Sequence, residues 1–421
     1  MPPFSLVRDS TVRTNLFGSP QTSSAGPLVE HPDTIVQLMS SRTPAVMLPV
    51  LLSSGRAIMP STSNTIGLLR PRTRRALTHT ATLLVLASAA SIAGTARGAD
   101  VQSAGDAPYP DMPRIAPIGV RIGHYLPVPQ EAKGPPIEPA KGYRLEQLGK
   151  GLYMITDNAY QSMFMVYETG VVVVDAPPAY AAHIVEGIRE VTDKPLTHLI
   201  YSHSHVDHIA GARALGKVPI IIAHEETKHL LARAKDPNRP LPTVTFRDRY
   251  ALTVGSQVLE LSYHGDAHEP GNIHIYAPAQ QTLMVVDMVF PGWMPWRRFA
   301  VAHDIPGYFA QVEEIRKIPF KTLVGGHVSR TGTHADVDRQ IEFLGDLKSA
   351  AAKALATTKP GEALDAETAR DNPWAVFDDY IDRVAIHCVN DLTPKWATKL
   401  AAYDVYVWDQ CYAMEQSLRI D

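Results

Sequence analysis

The chain has 421 residues, 45% of them hydrophobic and 20% charged, with 7% aromatic and 34 prolines, a composition that excludes a coiled coil, a collagen-like fibre and bulk disorder. Such a length holds one large or two ordinary domains, with a core that needs no disulfide staples, in keeping with only two cysteines. The net charge of -3 hides an asymmetry: residues 1–99 carry nine Arg, no Lys and three acids, leaving 31 basic against 40 acidic residues for positions 100–421. An acidic body does not suit a nucleic-acid groove, so no nucleic-acid partner is expected.

From Arg70-Pro-Arg-Thr-Arg-Arg75 the chain passes through a mostly apolar run, 81–94, to the small residues of 95–99. A basic start, an apolar middle and a small-residue exit are the parts of an export signal, and the apolar run is short for a membrane span. The expectation is a presequence over 1–99, with the signal at about 70–99, and a periplasmic or secreted protein with no stable membrane insertion once the signal is removed. Met59 is an alternative start nearer that signal, and a disordered tail with an incidental apolar run is the plainer alternative. Residues 100–141 are proline-rich and read as an extended arm without core residues.

From Tyr143 onward short apolar or alternating runs, ending in Val171-Val-Val-Val174, predict consecutive sheet strands. A helix over 180–191, a strand over 197–201, a helix over 209–215 and a strand over 218–223 follow, and this alternation predicts an α/β protein. A second strand-rich block covers 243–287; strand, helix and strand return over 307–325, and a helix over 335–355 closes this part. Beyond Lys359-Pro-Gly the pattern is helical and aromatic, and either covers the body or pairs two subunits. Cys388 and Cys411 lie there, either paired or as inert core residues.

Chemistry concentrates in Tyr201-Ser-His203-Ser-His205-Val-Asp207-His208, which follows a predicted strand and opens a helix. In an extended segment, alternate side chains project to one side, so His203, His205 and Asp207 converge, with His208 turned to a neighbouring point. Imidazole and carboxylate at that spacing suit a borderline metal such as zinc. Trp293 and Trp296 follow Asp287 closely and suggest a substrate with an apolar or aromatic part, although packing alone would explain them. Tyr308 is a weaker candidate for a substrate contact, and Arg297 and Arg298 read as a solvated pair.

The His203-x-His205-x-Asp207-His208 run resembles the signature of the metallo-β-lactamase-fold superfamily. Downstream, Gly265-Asp-Ala-His268, Met284-Val-Val-Asp287 and Leu323-Val-Gly-Gly-His327 match its further demands in order, and Asp175 matches an early aspartate that supports the metal loop. The resemblance implies a four-layer αβ/βα sandwich over 142–358, with a C-terminal helical extension over 359–421. It also implies a zinc-dependent hydrolase with two Zn²⁺ per chain: His203, His205 and His268 on one, Asp207, His208 and His327 on the other, Asp287 bridging. Two such ions, two carboxylates and a hydroxide sum to a net charge of about +1, which attracts a developing oxyanion. The implied reaction is attack by a metal-bound hydroxide on an acyl C–O or C–N bond of a small molecule, a lactone, carboxylic ester or β-lactam, with Asp207 orienting the hydroxide and carrying the proton. Alternatives are a sulfate-ester hydrolase of alkylsulfatase type and an iron-dependent persulfide dioxygenase. Glu269 stands where relatives often carry Thr, a departure expected to bear on substrate class.

Overall fold

The computed structural model describes residues 125–361 and 370–421. The presequence, its proposed signal, Met59 and the arm before residue 125 lie outside the described residues. Among the described residues, no helix is long and apolar enough to cross a membrane.

Two sheets face each other. The first runs in chain order, β1 (Arg144–Gly149), β2 (Leu152–Thr156), β3 (Gln161–Val166), β4 (Val171–Val174), β5 (Leu196–Ile200), β6 (Ile220–His224) and β7 (Val244–Phe246), antiparallel to β4 and parallel from there. The second contains β8 (Arg249–Val254), β9 (Gln257–Tyr263), β10 (Ile273–Ala277), β11 (Thr282–Val285) and β12 (Thr322–Val324), in the order β12-β11-β10-β9-β8. Its members pair antiparallel except β11 with β12.

Strand alternation sorts side chains into three cores. Val172 and Val174 of β4 meet Leu259, Ile275 and Met284 between the sheets. Val171 and Val173 turn outward onto Ile184 and Ile188 of α1 (Ala181–Val191) and onto Ile209, the last residue of α2 (Val206–Ile209). Leu283 and Val285 of β11 point the other way, onto α4 (Ile305–Lys317), α5 (His334–Thr357), α6 (Pro373–Trp396) and α7 (Tyr403–Ile420). The result is the expected helix-sheet-sheet-helix sandwich with a helical C-terminal region. The four valines are buried on both faces, which is why they read as a continuous apolar run.

Several local expectations are corrected. The predicted helix over 209–215 is two pieces, α2 and a 3-10 turn at Ala212–Leu215, because Gly211 approaches Ala176 so closely that a Cβ would lie 2.5 Å from its carbonyl oxygen. A helix α3 (Glu225–Ala234), not foreseen, starts where the His224 side chain accepts the Glu226 N–H. The strand expected ahead of the helix within 307–325 is absent among the described residues, since α4 already begins at Ile305. Instead Arg297–Val301 form a left-handed helical turn, with Arg298, Phe299, Ala300 and Val301 at φ between 51 and 58°. Such a turn costs about 1–2 kcal/mol per residue; burial of Phe299 and a 2.8 Å bond from its N–H to Gln410 Oε1 hold it in place. The arm, expected to carry no core, buries Ala132 completely against Gly292.

The C-terminal helices share one core with α4, α5 and β11. Cys388 of α6 and Cys411 of α7 are joined by a disulfide, which settles the choice between paired and free thiols. The bridge closes a loop with a sequence separation of 23, for which chain entropy predicts about 3 kcal/mol of stabilisation. Urea unfolding of a Cys388→Ala/Cys411→Ala variant is expected to show that loss, with wild type under strong reductant moving in the same direction.

Candidate metal centre

The chain leaves β5 through residues 201–205 and turns into α2, and Asp175 fixes that exit. It ends β4 at φ 59° and is fully buried; its Oδ1 accepts the Ser202 N–H at 2.8 Å, while the next residue, Ala176, donates its N–H to the His208 carbonyl at 2.8 Å. Burial pushes the Asp175 carboxyl up to about 6, against the pull of a charged His208. The other ligand candidates also stand just past strands. His268 lies in the turn between β9 and β10, Asp287 two residues after β11, and His327 three residues after β12. Asp287 takes φ 63°, and Val328, a β-branched residue for which a positive φ is rare, takes 65°. Gly326 takes φ 83°, and a Cβ there would lie 2.5 Å from Val286.

All seven predicted residues meet. His203, His205, His268 and Asp287 form one group, and Asp207, His208 and His327 another, with the donor atoms of each within 4.8 Å of one another. His268 Nε2 stands 3.0 Å from His205 Nδ1 and 3.4 Å from His203 Nε2; His208 Nε2 stands 3.0 Å from His327 Nε2. Asp287 touches both groups. Its Oδ2 is 3.1 Å from the Nε2 atoms of His208 and His268, and its Oδ1 is 3.1 Å from His327 Nε2. Asp207 Oδ2 lies 3.6 Å from His208 Nε2 and 3.7 Å from His327 Nε2.

Electrostatics favour cations here. Burial and the neighbouring imidazoles hold His203 well below the usual histidine range, that is, in the neutral form that ligates metals. Burial alone would raise the Asp287 carboxyl, but His208, His327 and His268 outweigh it and keep the carboxyl well below the usual range. Asp287 Oδ1 is nonetheless buried without a well-formed hydrogen bond, as an atom reserved for a cation would be. Five imidazoles and two carboxylates in two clusters with a shared carboxylate suit a pair of borderline divalent metals.

Two neighbours were not singled out as parts of this site in the sequence. Tyr160 packs its ring 4.7 Å from that of His327 and lines the same pocket as Asp207, and its phenol is kept protonated by burial and by the charges of Asp207 and Asp287. No spacing in the sequence flags it; it enters through a backbone bridge to His327. Glu269 does not face substrate space, as its departure from Thr suggested. Its carboxylate accepts the Ser204 N–H at 3.0 Å and the Ser204 hydroxyl at 2.8 Å, and approaches His205 Nε2 at 3.3 Å. That contact leaves His205 Nδ1 free to point at the cluster and makes the ring a stronger donor.

The cluster lies at the floor of a pocket of about 880 Å³, whose walls include Trp293 and Trp296. Tyr308 is not there. It is fully buried, and its hydroxyl donates to the Met288 carbonyl at 2.7 Å, so it is a core residue. Arg297 and Arg298 do not line the pocket either; Arg298 lies over the Tyr412 ring.

A sandwich with this cage at its strand ends defines an α/β protein with a candidate metal centre. Residues 155–327, about two fifths of the chain, match the metallo-beta-lactamase superfamily (Lactamase_B), a group composed mostly of hydrolytic enzymes. Among curated proteins, the 2,4-dinitroanisole O-demethylase subunit alpha of Nocardioides sp. (strain JS1661) is 28% identical over 180 residues, 38% of this chain; the match spans 55% of that relative. Among solved structures, a metallo-beta-lactamase from Pontibacter korlensis aligns with a TM-score of 0.43 at 18% identity, over 48% of this chain and 99% of the other. The DIM-1 metallo-beta-lactamase exposed to ceftazidime aligns at 0.40 and 19%, over 48% and 95%.

Removing the carboxylate charge by Glu269→Gln is expected to weaken metal affinity about 10- to 100-fold in a chelator competition. His205→Ala should strip metal while far-UV circular dichroism stays unchanged. Tyr308→Phe should cost about 1 kcal/mol of stability and leave KM as it is; a raised KM would return Tyr308 to the site.

Proposed function

We propose that this chain is an exported zinc-dependent hydrolase that cleaves an acyl C–O or C–N bond, as in a lactone, carboxylic ester or β-lactam, of a small molecule with an apolar or aromatic part. The observation that carries this reading is the shared Asp287 carboxylate between two donor groups at the floor of a largely apolar pocket. In it, His203, His205, His268 and Asp287 would hold one ion, and Asp207, His208 and His327 the other. A cation pair bound there supplies a water with a pKa near 7 and polarises the bond under attack.

The chain's own groups do the rest. Asp207, 44% exposed on the pocket wall, would take the proton given up by the attacking water and pass it to the departing oxygen or nitrogen as the acyl bond breaks. Tyr160 lines the pocket with Asp207, and its phenol, held protonated, is an O–H donor available to the substrate. The tryptophan-bearing walls exclude water and hold the apolar part of the substrate. Among the described residues, no Lys or Arg lines the pocket, which disfavours a sulfate ester.

A second reading, cleavage of an aryl ether, draws on the similarity to a protein named as an O-demethylase and on the aromatic pocket wall. Export draws on residues 70–99 alone.

The test is a metal analysis followed by a turnover screen of the loaded protein against acyl-homoserine lactones, aryl esters, nitrocefin, alkyl sulfates and 2,4-dinitroanisole. About two zinc per chain and hydrolysis of a lactone, ester or lactam are expected. One iron per chain with oxygen uptake would replace the proposal with a redox enzyme, and ether cleavage alone would promote the second reading.

A further inference from the structure

The pocket is far larger than the metal cluster needs, and much of its remaining wall comes from loops and from the C-terminal hairpin rather than from the strands. Three segments build it: the loop after Asp287, with Phe290, Trp293 and Trp296; the left-handed turn, with Val301; and the start of α7, with Ala402, Val405 and Tyr406. Positions 402, 405 and 406 follow helical spacing and present one face to the pocket, while Tyr403 and Val407 turn into the core. Trp296, Val301 and Val405 are 47%, 44% and 37% exposed, as expected of apolar side chains that line a cavity waiting for an apolar occupant.

The wall is fastened to the C-terminal hairpin. Gln410 of α7 donates to the carbonyls of Pro295 and Trp296 at 2.7 and 3.0 Å and accepts the Phe299 N–H, so one side chain holds both the tryptophan loop and the left-handed turn. Ala401 exchanges backbone bonds with the same loop, accepting from Met294 at 2.9 Å and donating to Gly292 at 3.0 Å. Among the described residues, every ionisable group lining the pocket other than the phenols of Tyr160 and Tyr406 belongs to the metal cluster.

Building on the hydrolase reading above, we propose that the C-terminal hairpin is the substrate-selecting wall of the pocket, and that it selects an uncharged substrate with a long aliphatic or extended aromatic tail, laid between the tryptophan loop and Val405 and Tyr406. The floor engages the reacting group and the hairpin sets the length and neutrality of what is attached. Val405 and Tyr406 are specificity residues, and Gln410 positions the surfaces opposite them.

Two measurements separate this inference from the reading beneath it. In the zinc-loaded protein, kcat/KM for 4-nitrophenyl esters should rise from acetyl to decanoyl by up to about fourfold per methylene until the tail is enclosed. It should fall at least tenfold when the far end of a decanoyl tail carries a carboxylate. Val405→Asp should cut the decanoyl-to-acetyl ratio at least tenfold, and Val405→Trp should move the preferred chain to shorter lengths. In the metal-stripped protein, decan-1-ol should change tryptophan fluorescence saturably, and Val405→Asp should weaken that binding. Decanol binding lost in Val405→Asp, with no ester hydrolysed by wild type, would support the tail wall and sink the acyl-hydrolase reading. Hydrolysis that is indifferent to chain length, or a ratio unchanged in a folded Val405→Asp variant, would overturn the wall itself.

Discussion

The Asp287 carboxylate sits within 3.1 Å of three imidazoles and 3.6 Å of a fourth, on a residue held at a positive φ. Much of the molecule serves that one placement. A buried carboxylate is tolerable only if positive charge or hydrogen-bonding groups face it, and the histidines around this one come from the ends of strands in both sheets. The apolar core between the sheets keeps those ends in register, because slippage of β11 by one residue would send Asp287 to the opposite face. Asp175 and Glu269 complete the arrangement from behind, one tying the backbone of the histidine loop and the other turning a ring.

Around this cage the structure divides its labour by layer. The two sheets and α1 to α3 give a rigid floor, built from runs of valine, isoleucine and methionine that leave little freedom of packing. The second helical layer is attached through a separate core that continues into the C-terminal hairpin. The donor cluster thus belongs to the sandwich, while the pocket above it is shaped by the sandwich's own loops together with the start of the C-terminal hairpin.

Much of the sandwich and the donor set was legible in the sequence. The cluster of His203, His205, Asp207 and His208 is local, so alternation in an extended loop already brings it together, and His268, Asp287 and His327 each follow a recognisable apolar strand. What could not be read is non-local or depends on φ. Tyr160 reaches the cage through a bridge formed only in the fold. Tyr308 looked available because an aromatic before a helix has no visible partner until Met288 and Gln340 are brought beside it. The left-handed turn is written in ordinary residues, Arg298, Phe299, Ala300 and Val301, with no glycine to announce it. Glu269 drew notice as a departure, but only its distances to Ser204 and His205 show which way it faces.

The indole of Trp293 donates to the carbonyl of Ala132 at 2.9 Å, and Arg330, three residues past His327, donates to the carbonyl of Glu131 at 2.5 Å. The arm preceding the first strand is therefore a buttress for both the tryptophan loop and the loop that follows the last histidine. A fragment trimmed to residues 155–327 would carry every donor atom of the cage yet lack the supports on either side of its cavity. Swapping such fragments between relatives would transplant reactivity without transplanting discrimination.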